Sequence, residues 1–385
     1  MLTRQAISFL ALLAAASTAT SVKGKAFDRI AIIWMENTDY DKAIGDRKCP
    51  LRTTNLAWLA SKGVTLDNYH AVTHPSQPNY LAAIGGDYFG MNHDDLSTFD
   101  ANISSIVDLL EDKGISWGEY QEDMPYTGYT GKAYPNPTTG ANMYVRKHNP
   151  AVSYGNVLAS PERLAVTKNL TLFQQDLENE TLPQWMFITP NMTSDGHDSS
   201  VTVAGAWSRN FLEPLLDDPK FMNNTLVLVT FDENETYTIQ NRVLAILLGD
   251  AVPAQLVGTT DSTFYDHYSE ISTVQANWGL DTLGRFDVGA NVFSLVANKT
   301  GDDVREWSGQ GAQALENRYF NYSYAGVFND RDGEVRTYAK PNVDLEYAGR
   351  KVLQSIVDVW KDSSLPSYYT DALEIPDGLS PPAGY

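Results

Sequence analysis

Short apolar runs alternate with amphipathic stretches along most of the chain. Residues 27–35, 64–72, 115–120, 184–189, 226–231 and 243–248 are apolar runs of strand length, and the run at 226–231 is almost wholly apolar, as a strand buried on both faces must be. Between them the spacing predicts helices over 56–62 (behind the Thr53-Thr54 cap), 80–84 (closed by Gly85-Gly86), 104–113 (Ile106, Leu109 and Leu110 on one face), 204–216 and 269–278. Apolar strands separated by helices predict an α/β fold, a mostly parallel central sheet with helices on both faces.

Two stretches break the alternation. Residues 125–154, rich in Tyr, Gly, Pro and Asn, predict a long ordered loop, and residues 322–338 predict a hairpin turning at 329–333, followed by a last helix around 345–360. Neither demands a second domain, so residues 20–385 are expected to form one domain with these elaborations. At the start, Arg4 precedes an apolar run at 7–16 that is too short to span a bilayer, and Ser17 and Ala19 are spaced as a signal peptidase accepts. Residues 1–19 therefore predict a secretory signal peptide and a secreted, extracellular protein. No later stretch reaches membrane-spanning length and the polar, Pro-rich residues 379–385 do not form a lipid-anchor tail, so no stable membrane anchor is expected.

A formal charge of −20 excludes nucleic acid and anionic lipid as partners bound through bulk electrostatics. Cys49 is the only cysteine, so no intrachain disulfide forms and packing must supply the stability. Asn102, Asn169, Asn179, Asn191, Asn223, Asn234, Asn298 and Asn321 each begin a glycosylation sequon; Asn191 and Asn234 fall inside the polar clusters described next and are expected to be bare.

Chemistry-bearing residues gather at one kind of place. Glu36-Asn37 ends the first predicted strand; Thr73-His74-Pro75-Ser76-Gln77-Pro78-Asn79 follows the second; Asn191 to Asp198 follows the run at 184–189; and Asp232-Glu233-Asn234-Glu235 ends the buried run at 226–231. Taken singly, each has an ordinary reading: a solvated strand end for Glu36 or Asp232-Glu233, a polar turn for His197, a helix N-cap for Ser76. Taken together, they mark the carboxyl edge of an α/β sheet, where ligands bind. Hard oxygen ligands at strand ends suit a divalent cation, and a serine at a helix start, with Pro78 in the first turn, can face a phosphate.

These residues resemble the phosphoesterase family that includes fungal secreted acid phosphatases and bacterial acid phosphatases and phospholipases C, within the alkaline phosphatase-like superfamily. The anchors are Trp34-Met35-Glu36-Asn37, His74-Pro75-Ser76-Gln77-Pro78-Asn79-Tyr80, Asp195-Gly196-His197-Asp198, Phe231-Asp232-Glu233 and Tyr265-Asp266-His267-Tyr268-Ser269, in that order. The resemblance implies an alkaline phosphatase-like fold and a secreted acid phosphatase acting on small phosphate monoesters through a metal-assisted phosphoserine. It implies Ser76 as nucleophile and metal contact, with Glu36, Asn37, Asp232 and Glu233 as further metal ligands. Asn79 would bond a phosphoryl oxygen, Asp195 and His74 would border the substrate, and His197 and His267 would line the phosphate pocket or move protons. His74 and His93 stand between site and structural roles; His70 and His148 are read as structural. One departure matters: two-metal relatives carry an aspartate where this chain has Asn191, so a single divalent ion is expected, with Mg, Mn or Ca favoured. The second position would fall to His197, His267 or solvent.

Phosphodiester or phospholipase C activity would use the same core chemistry and stays open. A sulfatase would need Arg where Asn79 follows Ser76-Gln77-Pro78. A catalytically silent, ligand-binding glycoprotein is the reading from another class, and the presence of Ser76 and the carboxylates weighs against it. The natural ester and the oligomeric state are not legible.

Overall fold

The computed structural model describes residues 21–45, 54–306, 323–324, 326–329 and 337–373. The predicted signal peptide, Cys49, Asn321 and most of the predicted hairpin at 322–338 lie outside the described residues. Among the described residues no helix is long and apolar enough to cross a membrane.

The strands are β1 (Arg29–Met35), β2 (Val64–His70), β3 (Trp117–Gln121), β4 (Ala133–Pro135), β5 (Asn142–Val145), β6 (Thr167–Asn169), β7 (Trp185–Thr189), β8 (Thr225–Phe231), β9 (Arg242–Leu248), β10 (Thr259–Asp261) and β11 (Tyr265–Asp266). The central sheet runs in the order β10-β2-β9-β8-β1-β7-β3-β6, with β11 also on β2. β1 lies parallel between β7 and β8, with Ile32 opposite Phe187 on one side and Leu228 on the other. All seven residues of β8 are buried, as its apolar sequence requires.

Within this sheet β9 runs against its neighbours, antiparallel to both β8 and β2. The link from Phe231 to Arg242 is a loop over 232–241 that holds no crossover helix, so the chain doubles back.

The predicted helices form where their caps and apolar faces stand. Thr54 caps Asn55–Ala60 by accepting the Ala57 N–H (3.1 Å), and Ser105 with Asp108 closes a capping box on Ile106–Asp112. Ser76–Gly85 and Tyr268–Trp278 are buried along their whole lengths and pack on each other. Val201–Leu216 packs on Asn55–Ala60. The predicted loop at 125–154 contains the β4–β5 hairpin and two 3-10 turns, Arg146–His148 and Ala151–Ser153. The last helix is shorter than expected, Gln354–Trp360, behind a small pair of strands at Glu346–Tyr347 and Arg350–Lys351.

Candidate active site

The site follows from strand register. Met35 pairs with Phe231 at the ends of β1 and β8, so Glu36-Asn37 and Asp232-Glu233 emerge side by side. The ladder continues past the strands: Asp232 N–H donates to Met35 O (2.9 Å) and Thr38 N–H to Glu233 O (3.1 Å). Ser76 arrives from the far side of β9. Its approach loop is tied by Asn241, at the entry to β9, whose carbonyl accepts the Ala71 N–H (2.9 Å) and whose side-chain amide donates to Thr73 O (2.8 Å). The Asn241 side-chain oxygen also accepts the Asn234 N–H (2.8 Å), so one residue grips the nucleophile loop and the acidic loop together.

Ser76 Oγ stands 3.1 Å from Glu36 Oε2 and 3.3 Å from Glu233 Oε1. Asn37 donates its amide to Glu233 Oε1 (2.7 Å), and Asp232 Oδ1 accepts the main-chain N–H groups of Asn37 (3.1 Å) and Glu233 (2.7 Å). The Asp232 carboxyl is also within hydrogen-bonding reach of Glu36 and Ser76. Asp195 joins from the loop after β7. Gly196, at φ 105°, makes the turn that lets Asp195 Oδ1 accept the His197 N–H (2.8 Å).

Glu36, Asp195, Asp232 and Glu233 are all fully buried. Burial pushes Asp232 well above the ordinary carboxyl range, and the neighbouring Glu36 and Glu233 push it further. Burial also raises Glu233 and takes Asp195 up to about 6. Glu36 goes the other way: burial opposes its charge, but the His148 imidazole, Nε2 at 2.9 Å from Oε1, holds it far below the ordinary value. His148 is itself raised, because Glu36 and Asp195 together outweigh the cost of burying its charge. His74 Nδ1 pairs with Glu233, and its ring stacks on Tyr237 at 3.8 Å.

The residues fit a hard divalent cation. Their donors are mainly oxygens, the buried Asn37 Oδ1 has no hydrogen-bond partner, and the acids crowd more negative charge than protons can relieve evenly. On the side facing His148, ligand atoms of Glu36, His148 and Asp195 all lie within 4.8 Å of one another.

The phosphoesterase family matches residues 50–281, more than half of the chain. A probable acid phosphatase of Kluyveromyces lactis is 49% identical over 361 residues, covering 92% of this chain and 82% of the relative. The chain belongs to the phosphoesterase family. It is a phosphoric ester hydrolase. An acid phosphatase of Aspergillus niger is 47% identical over 92% of this chain and 82% of its own length. A phosphatidylinositol-3-phosphatase of Mycobacterium tuberculosis is 30% identical over 67% of this chain and 79% of its own. Among solved structures, a phosphonate monoester hydrolase from Silicibacter pomeroyi covers 72% of this chain and 78% of its own, with TM-score 0.45 and 10% identity.

Of the residues named from this phosphoesterase's sequence, Glu36, Asn37, Ser76, Asp232, Glu233, His74 and Asp195 come together at the buried centre. His197 stands at its mouth, one-third exposed, with Nδ1 2.8 Å from Asp198 Oδ1. It borders two cavities, one of about 590 Å³ toward Gln77 and Lys147 and one of about 450 Å³ toward Asn37 and Ser200.

Two residues have other tasks. Asn79 was expected to bond a phosphoryl oxygen, but its side chain is saturated by main chain. Its oxygen accepts the N–H groups of Val72 (3.0 Å) and Thr73 (3.2 Å), and its amide donates to Thr73 O (2.8 Å) and Pro75 O (3.1 Å). It braces the turn that carries Ser76. His267, expected to line the pocket, lies fully buried behind Asp232: its Nε2 donates to the Asp232 carbonyl (2.7 Å), and its Nδ1 is 3.1 Å from the Tyr69 hydroxyl. Burial drives its pKa down to about 3, so it is neutral and unsuited to give up a proton. The helix start is also less open than expected. Gln77 N–H is taken by Asp94 Oδ1 (2.9 Å), and Pro78 has no N–H to offer.

His148, read from sequence as structural, is the residue that was missed. Its imidazole, and neither His197 nor His267, stands between Glu36 and Asp195, and its ring lies nearly parallel to Tyr80 (4.9 Å, 13°). Asn191 caps its own turn, accepting the N–H groups of Thr193 (2.9 Å) and Ser194 (2.7 Å). His93 sits apart, its Nδ1 accepting the Asp95 N–H (3.2 Å), and buried His70 stacks on Phe264 (5.4 Å).

Proposed function

We propose that this phosphatase is a secreted enzyme that hydrolyses phosphate monoesters at acid pH through a phosphoserine formed on Ser76. One divalent ion would be held by Glu36, Asn37, Asp232 and Glu233, with Ser76 beside it. The observation that carries the reading is the position of Ser76 Oγ, 3.1 Å from Glu36 and 3.3 Å from Glu233, within a buried set of acids with which no lysine or arginine forms an ion pair among the described residues, although the Lys147 charge is felt by Glu36 and Asp232. Family membership and the fungal relatives named acid phosphatases support phosphatase action at acid pH, and the signal peptide expected at residues 1–19 supports secretion.

A bound divalent ion would supply positive charge against the serine oxygen and the phosphoryl oxygens, which a free hydroxyl at acid pH lacks. The chain's own groups do the rest. Ser76 Oγ attacks phosphorus, its proton passing to one of the carboxylates it touches, Glu36 or Glu233, while the bond from phosphorus to the alcohol oxygen breaks. His197, at the mouth, is placed to hand a proton to the departing oxygen. Water then attacks the phosphoserine, frees phosphate and returns the serine. His148 holds Glu36 and Asp195 in place, and Asn79 fixes the turn that presents Ser76.

Two successive in-line displacements give net retention at a chiral phosphate and allow transfer of phosphate to added alcohols. Retention, together with transfer and a trapped phosphoserine at position 76, is the expected result. Inversion with no transfer would falsify the covalent route and point to direct attack by water.

A further inference from the structure

The chain has 28 basic residues against 48 acidic ones, yet the cavity beside the start of the Ser76 helix gathers three basic residues, Lys132, Arg146 and Lys147, around one acid, Asp94. Lys147 is matched, with Nζ 2.8 Å from Asp94 Oδ2. Lys132 is at the rim, its side chain 67% exposed and 4.0 Å from Asp95, an arrangement that water screens. Arg146 differs from both. It is buried, and its guanidinium donates to the carbonyls of Thr130, Ser97 and Val152 and to the Thr98 hydroxyl. No carboxylate pairs with it among the described residues, and its Nε is buried without a hydrogen-bond partner. Its charge is held in place by neutral groups and is not cancelled. Gln77, 2% exposed and next in chain to Ser76, brings an Oε1 that also lacks a partner. Leu96, Ala133, Val145 and Met192 complete the walls.

A buried cation without a counter-charge, beside a roomy cavity, is completed by an anion on the ligand. We infer that this cavity of about 590 Å³ receives the departing alcohol and favours alcohols that carry a second anionic group, a phosphate or a carboxylate. The inference rests on the Ser76 reading, because the cavity adjoins the site through Gln77, through His197, and through Lys147, whose chain neighbour His148 bonds Glu36.

Three monoesters of similar size test it: a sugar bisphosphate, a phosphorylated hydroxy acid and a sugar monophosphate whose alcohol part is otherwise neutral. Wild-type kcat/KM should be about tenfold higher for the two anion-bearing esters, the size of one charge-assisted hydrogen bond. Lys132→Glu should lower that preference, read as the ratio of kcat/KM values, at least about threefold, and added salt should shrink it further. Arg146→Met should abolish it; if that variant does not fold, Lys132→Glu and the salt series still decide. Preference for only one anion-bearing ester supports the inference and names the anion. Equal kcat/KM for all three, or a preference indifferent to both salt and Lys132→Glu, overturns it. Turnover of none of the three would instead sink the Ser76 reading.

Discussion

Glu119 and Glu36 are equally buried, yet the protein treats them in opposite ways. Glu119, in the middle of β3, stands apart from other acids; its one bond is from the Ala151 N–H (3.0 Å), and burial raises its pKa to about 8. Glu270, beneath the site, is likewise raised to about 8 by burial, though the Tyr69 hydroxyl (2.7 Å) and the Trp34 indole (3.0 Å) partly oppose this. The nearby Asp266 pushes Glu270 up further; carboxyls such as these, with no cation beside them, keep a proton and behave as neutral groups. Glu36 is kept charged by His148, and its charge in turn raises Asp195, Asp232 and Glu233. An isolated buried acid solves its desolvation with a proton, whereas a cluster needs a cation from outside. The first solution stabilises a fold at acid pH, and the second makes a site.

The cluster should break most completely when an acid is removed. Asp232→Ala is expected to lose the bound divalent ion and about 10³-fold or more in kcat, checked by metal analysis of the purified variant beside its kinetics. Full metal content in that variant would count against the assignment of ligands. Ser76→Ala should lose comparable activity but keep its metal, because the carboxylates remain.

Next in size is His148. Replacing it with Gln removes the imidazolium that holds Glu36 charged, so kcat should fall about 10²-fold. The raised pKa also fixes the sign of a pH effect. His148 is charged below its folded pKa and loses its charge as pH rises through that value, so the contact with Glu36 weakens on the alkaline side. Wild-type activity should decline there, and the variant should lack that limb of the profile. An unchanged profile would show that His148 only fills space.

The acids with no cation beside them sharpen the other half of the comparison. Glu119, Glu270 and Asp266, with folded pKa values about 8, 8 and 7, bind protons that the unfolded chain releases near ordinary carboxyl values. Their contribution to stability is therefore greatest at low pH and is lost as pH rises from the unfolded value through the folded one. A drop in Tm of about 5 °C or more between pH 5 and pH 8.5 is expected, and Glu119→Gln should flatten that slope. A Tm that climbs with pH over the same span would contradict the assignment.

Tyr69→Phe should have the smallest effect. It removes the hydroxyl that links Glu270 to His267, so the support behind Asp232 loosens while every group of the site remains. An activity loss of about twofold to fivefold with unchanged metal content is expected; a loss as large as that of Asp232→Ala would mean that Tyr69 reaches the chemistry itself.

Much of this was legible in the sequence, for identifiable reasons. β1, β7 and β8 are almost wholly apolar because they are covered on both faces, and that signal does not depend on tertiary detail. The carboxylates were visible because they come directly after those strands. The turn of β9 against the sheet was not visible, since an apolar run reads the same in either direction. His148 was hidden because it belongs to the 3-10 turn behind the β4–β5 hairpin, where no periodicity marks a face. The one available hint was a long patternless stretch inside a compact fold, which more often carries function than slack. Asn79 and His267 erred the other way: their motif neighbours belong to the site, but burial and saturated hydrogen bonds decide which side chains reach it. Sequons divide on the same ground, with Asn234 fully buried and Asn102, Asn179, Asn223 and Asn298 exposed.

The direction of β9 has a practical side. Because that strand doubles back, the acidic loop leaves the sheet at Glu233 and returns at Asn241, and both ends are pinned within hydrogen-bond distance of the nucleophile's approach loop. Between those ends Tyr237 stacks on His74, the partner of Glu233, while Thr238 and Ile239 beyond it are exposed to solvent. That stretch is a graft point. Longer or differently shaped segments inserted there would redraw which esters can enter while the reacting groups keep their geometry, so selectivity could be engineered, or could drift among relatives, separately from the chemistry.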